Sequence, residues 1–196
     1  LYKRLLVDEA GLMRRTWKRV SMTNIATEPT EGSAAQDYEA RMAIGAAPEA
    51  VFAALTTLDG LAGWWTEVTG DAAAGGELRF TFGDDVPLVL RVDIAQPGSL
   101  VQWTCVEYSR LPDWNGTTIG FELTPRPGGG CDLLFRHRGL TPRLECFQDC
   151  KNGWDHFIPS LRDVVETGEG RPRGSDADVD RRETRNRQRR ETTSSR

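Results

Sequence analysis

No apolar run in these 196 residues reaches the roughly 18 that crossing a bilayer requires, and no secretory leader pattern is present. Cysteine is scarce. The four, at 105, 131, 146 and 150, lack CxxC spacing and sit in otherwise apolar patterns, which suits reduced thiols of a cytoplasmic protein. The sequon Asn115-Gly116-Thr117 has no secretory signal beside it and reads as a chance match. Also absent are G-x-S-x-G, HExxH, P-loop, GxGxxG and paired zinc motifs, so no motif supports an enzyme and no cofactor or metal is expected. Positive charge is short where it matters. Residues 37–168 hold 10 Lys and Arg against 19 Asp and Glu, and such an acidic body argues against nucleic acid, whose binding rests on basic side chains displacing counterions.

What is present organises itself around residues 142–170. At about 100° per residue, Cys146, Cys150, Trp154, Phe157, Leu161 and Val165 share one stripe of an amphipathic helix, with charged residues opposite. Burying that stripe contributes on the order of 15 kcal/mol at the upper end, so the rest of the chain must supply an apolar floor. Gly153 lies at the stripe's edge, where a missing side chain permits close approach. Pro159 falls on the polar side, where the bond it removes faces water. Gly168, Gly170 and Pro172 are the stop.

The floor is legible in the preceding residues. Residues 1–36 are a basic leader and linker, disordered or a short helix; the chain starts on leucine, and Met22 offers a start that would make residues 1–21 an extension. The folded domain spans 37–170. Its first strand alternates Tyr38, Ala40, Met42 and Ile44 inward, and Pro48 then opens a short helix. A second short helix or turn, LAGWWTEV, follows Asp59-Gly60, and only one ring of Trp64-Trp65 is expected inside. Then come about five strands in hairpin spacing, with Leu78, Phe80 and Phe82, Leu88, Leu90, Val92 and Ile94, Val101, Trp103 and Cys105, Ile119, Phe121 and Leu123, and Leu133, Phe135 and His137 inward. The economical fold is α+β: a one-sided curved antiparallel sheet of about six strands covered by the long helix. Residues 171–196 are expected to be a disordered Arg-rich tail.

Chemistry has few candidates. His137, an imidazole on an apolar face, needs a partner; it is either a satisfied core residue or a general acid–base. Cys146 and Cys150, one turn apart, could join it as metal ligands or as a nucleophile, against the plainer reading of small buried hydrophobes. His156 falls on the polar side and is expected to be solvated. Trp114 is a lid candidate, and Arg110, Asp113 and Arg143 suit either a ligand head group or a wet rim.

The order β-α-α-β(5)-α resembles the START-like or SRPBCC helix-grip superfamily, which includes the birch-pollen-allergen-like proteins. LDGLAGWWTEVTGD, GGELRFTFGD, WNGTTIGFELTP, FRHRGLTP and CKNGWDHFIPSLRDVVETGEGRP are similar to the bacterial branch named after the activator of the heat-shock-protein-ninety ATPase, over roughly residues 37–172. The resemblance implies a helix-grip fold with a cavity between helix and sheet. A small, largely apolar ligand would be held there by Trp65, Phe82, Trp103, Phe121, Phe135, His137, Cys146, Cys150, Trp154 and Phe157. The inward rings can also fill that hollow completely. The fold hosts polyketide-cyclase-like enzymes and chaperone-associated modules as well, so a cyclase or hydrolase using His137 and an interaction module are the alternatives. No nucleic-acid or membrane partner is expected, and the state is monomer or homodimer.

Overall fold

The computed structural model describes residues 36–83 and 85–194. The leader expected over residues 1–36 lies, but for its last residue, outside the described residues. Strand β1, Tyr38–Ile44, is followed by helices α1, Pro48–Thr56, and α2, Leu58–Trp64. Six strands follow: β2 Val68–Gly70, β3 Glu77–Phe80, β4 Leu88–Gln96, β5 Leu100–Glu107, β6 Thr118–Pro125 and β7 Cys131–Arg138. Two helices complete the described residues, α3 Phe147–Thr167 and α4 Asp176–Ser194.

All seven strands form one antiparallel curved sheet in the order β1-β7-β6-β5-β4-β3-β2. Period-two alternation decides its faces. Cys131, Leu133, Phe135 and His137 of β7 are buried, as are Ile119, Phe121 and Leu123 of β6, and Phe121 sits opposite Phe135. β1 crosses from one end of the domain to pair with β7, setting Tyr38 opposite His137. The sheet has one strand more than the sequence shows. β2 is three residues long, too short for alternation, and is defined by pairing Val68 with Phe80. Beyond a register shift after Val92, Ile94 is only half-buried, and Phe82 lies past the end of β3 in a bend.

Helix α3 supplies the lid that the sheet requires. Trp154, Phe157 and Leu161 are buried with the sheet's inner residues in one core. The Tyr38 hydroxyl donates to Asp155 Oδ1 at 2.6 Å, and the Gly45 N–H donates to Glu166 Oε1 at 2.6 Å, so α3 runs in the same direction as β1 and is fastened at its middle and near its C-terminal end. It begins at Phe147 rather than Pro142, because residues 141–147 close as successive turns (Leu144 N–H to Thr141 O, Phe147 N–H to Leu144 O). Pro159 is accommodated inside it, and Gly168, at φ 84°, ends it.

Three expectations are corrected by what covers α3 from outside. His156 is buried, with Nε2 2.9 Å from the carbonyl of Arg171, and Ser160 Oγ donates to Trp64 O while accepting from Arg171 N–H. Trp64 and Trp65 are both buried: α2 ends at Trp64, the chain turns, and the second indole leaves the helical spacing to stack on the first at 5.6 Å. Residues 171–196 are not a disordered tail throughout, because α4 occupies 176–194. With no apolar stripe to mark it, α4 is anchored by charge. Asp178, fully buried, meets Arg181 at 2.6 Å, Arg182 at 3.0 Å and the Gly174 N–H at 3.1 Å, while Asp149 of α3 pairs with Arg185 and Arg189.

Candidate functional site

Between α3 and the sheet the inward rings pack on one another. Trp154 lies 4.7 Å from Phe135 and 5.0 Å from Trp65, Phe135 lies 5.2 Å from Phe121, and Phe121 lies 5.0 Å from Trp103. Such spacing is dry core packing. The broad hollow that the family resemblance implies is therefore largely filled, and Trp103, Phe121 and Phe135 belong to the filling.

Space remains at one end. A chamber of about 100 Å³ is lined by Trp65, Phe82, Tyr108, Trp114, Gly153, Trp154 and Phe157. An outer vestibule of about 210 Å³ shares Phe82, Tyr108, Gly153 and Phe157 with it and adds Cys150, Leu111, Asp149 and five arginines. Gly153 does not bring backbones together as expected; a Cβ there would meet nothing within 4 Å. The missing side chain opens the chamber instead. Of the expected ligand residues, Trp65, Phe82, Trp154 and Phe157 line the chamber and Cys150 the vestibule, while Cys146 and His137 line neither. Tyr108, in the loop after β5, carried no periodic signal, and the arginines of α4 were hidden in a segment read as tail. A larger depression of about 520 Å³ runs along residues such as Arg41, Glu122 and Asp132, and contains none of these rings.

His137 is fully engaged. The Trp154 indole N–H donates to Nδ1 at 3.0 Å, so the proton of the neutral ring sits on Nε2, which donates to Thr117 Oγ1 at 2.9 Å. The Thr117 hydroxyl in turn donates to Trp114 O at 2.7 Å. Burial pushes the imidazole pKa down to about 3. A general acid–base must exchange a proton with a substrate; here both nitrogens face protein partners. Two buried thiols are equally quiet. Burial pushes Cys105 up to about 11 and raises Cys150, whose Sγ accepts from the Trp114 indole at 3.2 Å. A nucleophilic cysteine needs the opposite shift. All four cysteines are free thiols. Among the described residues no group of three His, Cys, Asp or Glu could hold a metal ion. What this end of the domain offers is shape: an aromatic chamber with one wet side.

Residues 45–166 match the family described as Activator of Hsp90 ATPase homolog 1-like protein. The Aha1 dimer from Colwellia psychrerythraea is similar at 30% identity and TM-score 0.61, covering 69% of this chain and 99% of its own. Protein MLL2253 from Mesorhizobium loti is 21% identical at TM-score 0.59, covering 67% of this chain and 97% of its own. CalU16 from Micromonospora echinospora is 18% identical at TM-score 0.58, covering 77% and 84%. The last two likenesses are of fold. No curated protein matches the chain.

Proposed function

Since this chain belongs to the family described as Activator of Hsp90 ATPase homolog 1-like protein, we propose that it binds a small, largely apolar molecule in the chamber between α3 and the sheet. The observation that supports this reading is the opening at Gly153: a glycine in mid-helix weakens the helix, yet here it leaves unfilled space among Trp65, Phe82 and Phe157. The chamber alone is smaller than ligand pockets of roughly 300–1,000 Å³. With the vestibule it approaches the lower end of that range, which favours a compact ligand. We read the site as a binding site rather than a catalytic one, because both nitrogens of His137 are taken by core partners and the Cys150 thiol is raised by burial and bonded to Trp114.

The test is native mass spectrometry of freshly purified protein, followed by thermal shift against a panel of compact aromatic and alicyclic compounds. Gly153→Leu would place a side chain in the chamber without meeting packed atoms near Cβ. It is expected to abolish binding while keeping the near-ultraviolet signature of the ring cluster. Binding that survives Gly153→Leu unchanged would move the ligand elsewhere. Among the described residues no helix is long and apolar enough to cross a membrane. Four unpaired thiols suit a reducing compartment such as the cytoplasm. We place the protein there as a monomer or, like its relative from Colwellia, a dimer; light scattering on the eluted protein decides the state.

A further inference from the structure

We propose that the ligand is an amphipathic anion, with an apolar ring in the aromatic chamber and an oxy-acid head among the arginines that α4 and its approach bring to the vestibule. This rests on the binding reading above and adds the chemical class. Five guanidinium groups line the vestibule: Arg110 after β5, Arg173 before α4, and Arg181, Arg182 and Arg185 on it. Among the described residues, two carboxylates stand against the four arginines on and just before α4. Asp178 draws Arg181 and Arg182, with Arg173 at 3.9 Å, and Asp149 lies 3.6 Å from Arg185 while also holding Arg189. Among the described residues Arg173, Arg181, Arg182 and Arg185 therefore outnumber Asp178 and Asp149 at one opening of a domain whose body is acidic, and half-buried like charges are unfavourable unless an anion offsets them. Arg181 Nε and Arg185 Nε are buried and find no acceptor among the described residues. The Arg181 guanidinium lies 5.7 Å from the Phe157 ring centre, so charge and chamber wall adjoin. Guanidinium forks suit carboxylate, sulfonate and phosphate oxygens alike. The family match ends at residue 166, before Arg173 and α4, so four of the five arginines lie outside the matched domain.

The probes are 3-phenylpropanoate and its uncharged isostere 3-phenylpropanamide, titrated into the full chain by calorimetry, with tryptophan indole resonances reporting the chamber. The acid is expected to bind at least tenfold tighter than the amide, with an advantage that shrinks as salt rises. Arg185→Gln with Arg110→Gln, both outside the Asp178 clamp, should remove the acid's advantage over the amide, while Arg185→Lys retains part of it. Equal binding of acid and amide to the unaltered protein overturns the anionic class and leaves the apolar site standing. Failure of both probes to perturb any indole resonance defeats the binding reading and this inference together. Methylphosphonate or inorganic phosphate binding as tightly as the acid would show that the arginines take a free anion and that the chamber contributes nothing, which also overturns the proposal.

Discussion

The His137 ring carries two hydrogen bonds that depend on each other, and its chemistry follows from them. Trp154 Nε1–H requires an unprotonated Nδ1, and that fixes Nε2–H toward Thr117. Trp154→Phe keeps a ring in place but leaves Nδ1 without its donor; an unsatisfied buried acceptor costs about 1–3 kcal/mol, read as a lower urea midpoint at unchanged m-value. The same burial makes the imidazole a source of acid sensitivity. Its folded pKa of about 3 lies below the ordinary 6.5, so as pH falls the unfolded chain takes the proton first. The stabilising contribution is complete above 6.5 and is lost progressively as pH falls toward 3. At pH 5 the loss is about 2 kcal/mol. Urea unfolding at pH 7 and pH 5 should show that loss in the unaltered protein and a correspondingly smaller one in His137→Gln. His156 titrates in the same direction in both proteins and cancels. Equal pH slopes in the two would mean that His137 is not held neutral. From the sequence His137 could be placed inward, because alternation along β7 is local, but its partners come from α3 and the loop before β6 and have no signature near it.

At the scale of elements, the two long helices are held by different forces, and that difference decided which one could be read. α3 carries a stripe of large apolar residues, so its burial follows from periodicity. α4 carries none, and its composition is that of a solvated tail. Its hold is the Asp178 carboxylate. Burial pushes that group up, but the hydrogen bonds from Arg181 and the Gly174 N–H, with the charges of Arg181 and Arg182, outweigh burial and keep it below its usual range. Its contribution is therefore present above the ordinary carboxylate pKa and is lost only as pH falls through the lower folded value. Asp178→Asn leaves guanidinium groups facing one another at a site with no exposure, and breaking a buried pair costs about 3–5 kcal/mol where the element cannot move away. α4 is terminal and can lift, so the expected outcome is local. Amide exchange across 176–194 should accelerate strongly while β5, β6 and β7 stay protected. Uniform acceleration across the sheet would instead make α4 part of the cooperative core.

For the molecule as a whole, sheet and α3 form an aromatic core, and the chamber and vestibule lie at its margin. Legibility divides along the same boundary. The inward rings of β3 to β7 could be read because each obeys a two-residue period, and Trp154 and Phe157 because they obey a helical one. The chamber mouth could not, since Tyr108, Trp114 and Arg173 sit in loops and turns, and their convergence depends on the sheet's curvature rather than on spacing. If α4 adjusts the site without building the domain, ending the chain after Gly174 should leave a folded protein. Residues 45–166 contain the whole family match, and the strap from Arg171 to Arg173, which bonds to Ser160 and Trp65, is retained. Losing α4 removes one buried charge cluster and two exposed pairs, together about 2 kcal/mol, or a fall of about 4–8 °C in Tm for a domain of this size. The near-ultraviolet spectrum of the rings should persist, and 3-phenylpropanamide should bind the shortened chain as it binds the full one. With Arg181, Arg182 and Arg185 gone, 3-phenylpropanoate should lose its advantage over the amide. A shortened protein that melts without cooperativity would instead place α4 among the elements that hold the sheet together, and one that keeps the full preference for the acid would assign the selection to Arg110 and Arg173 alone.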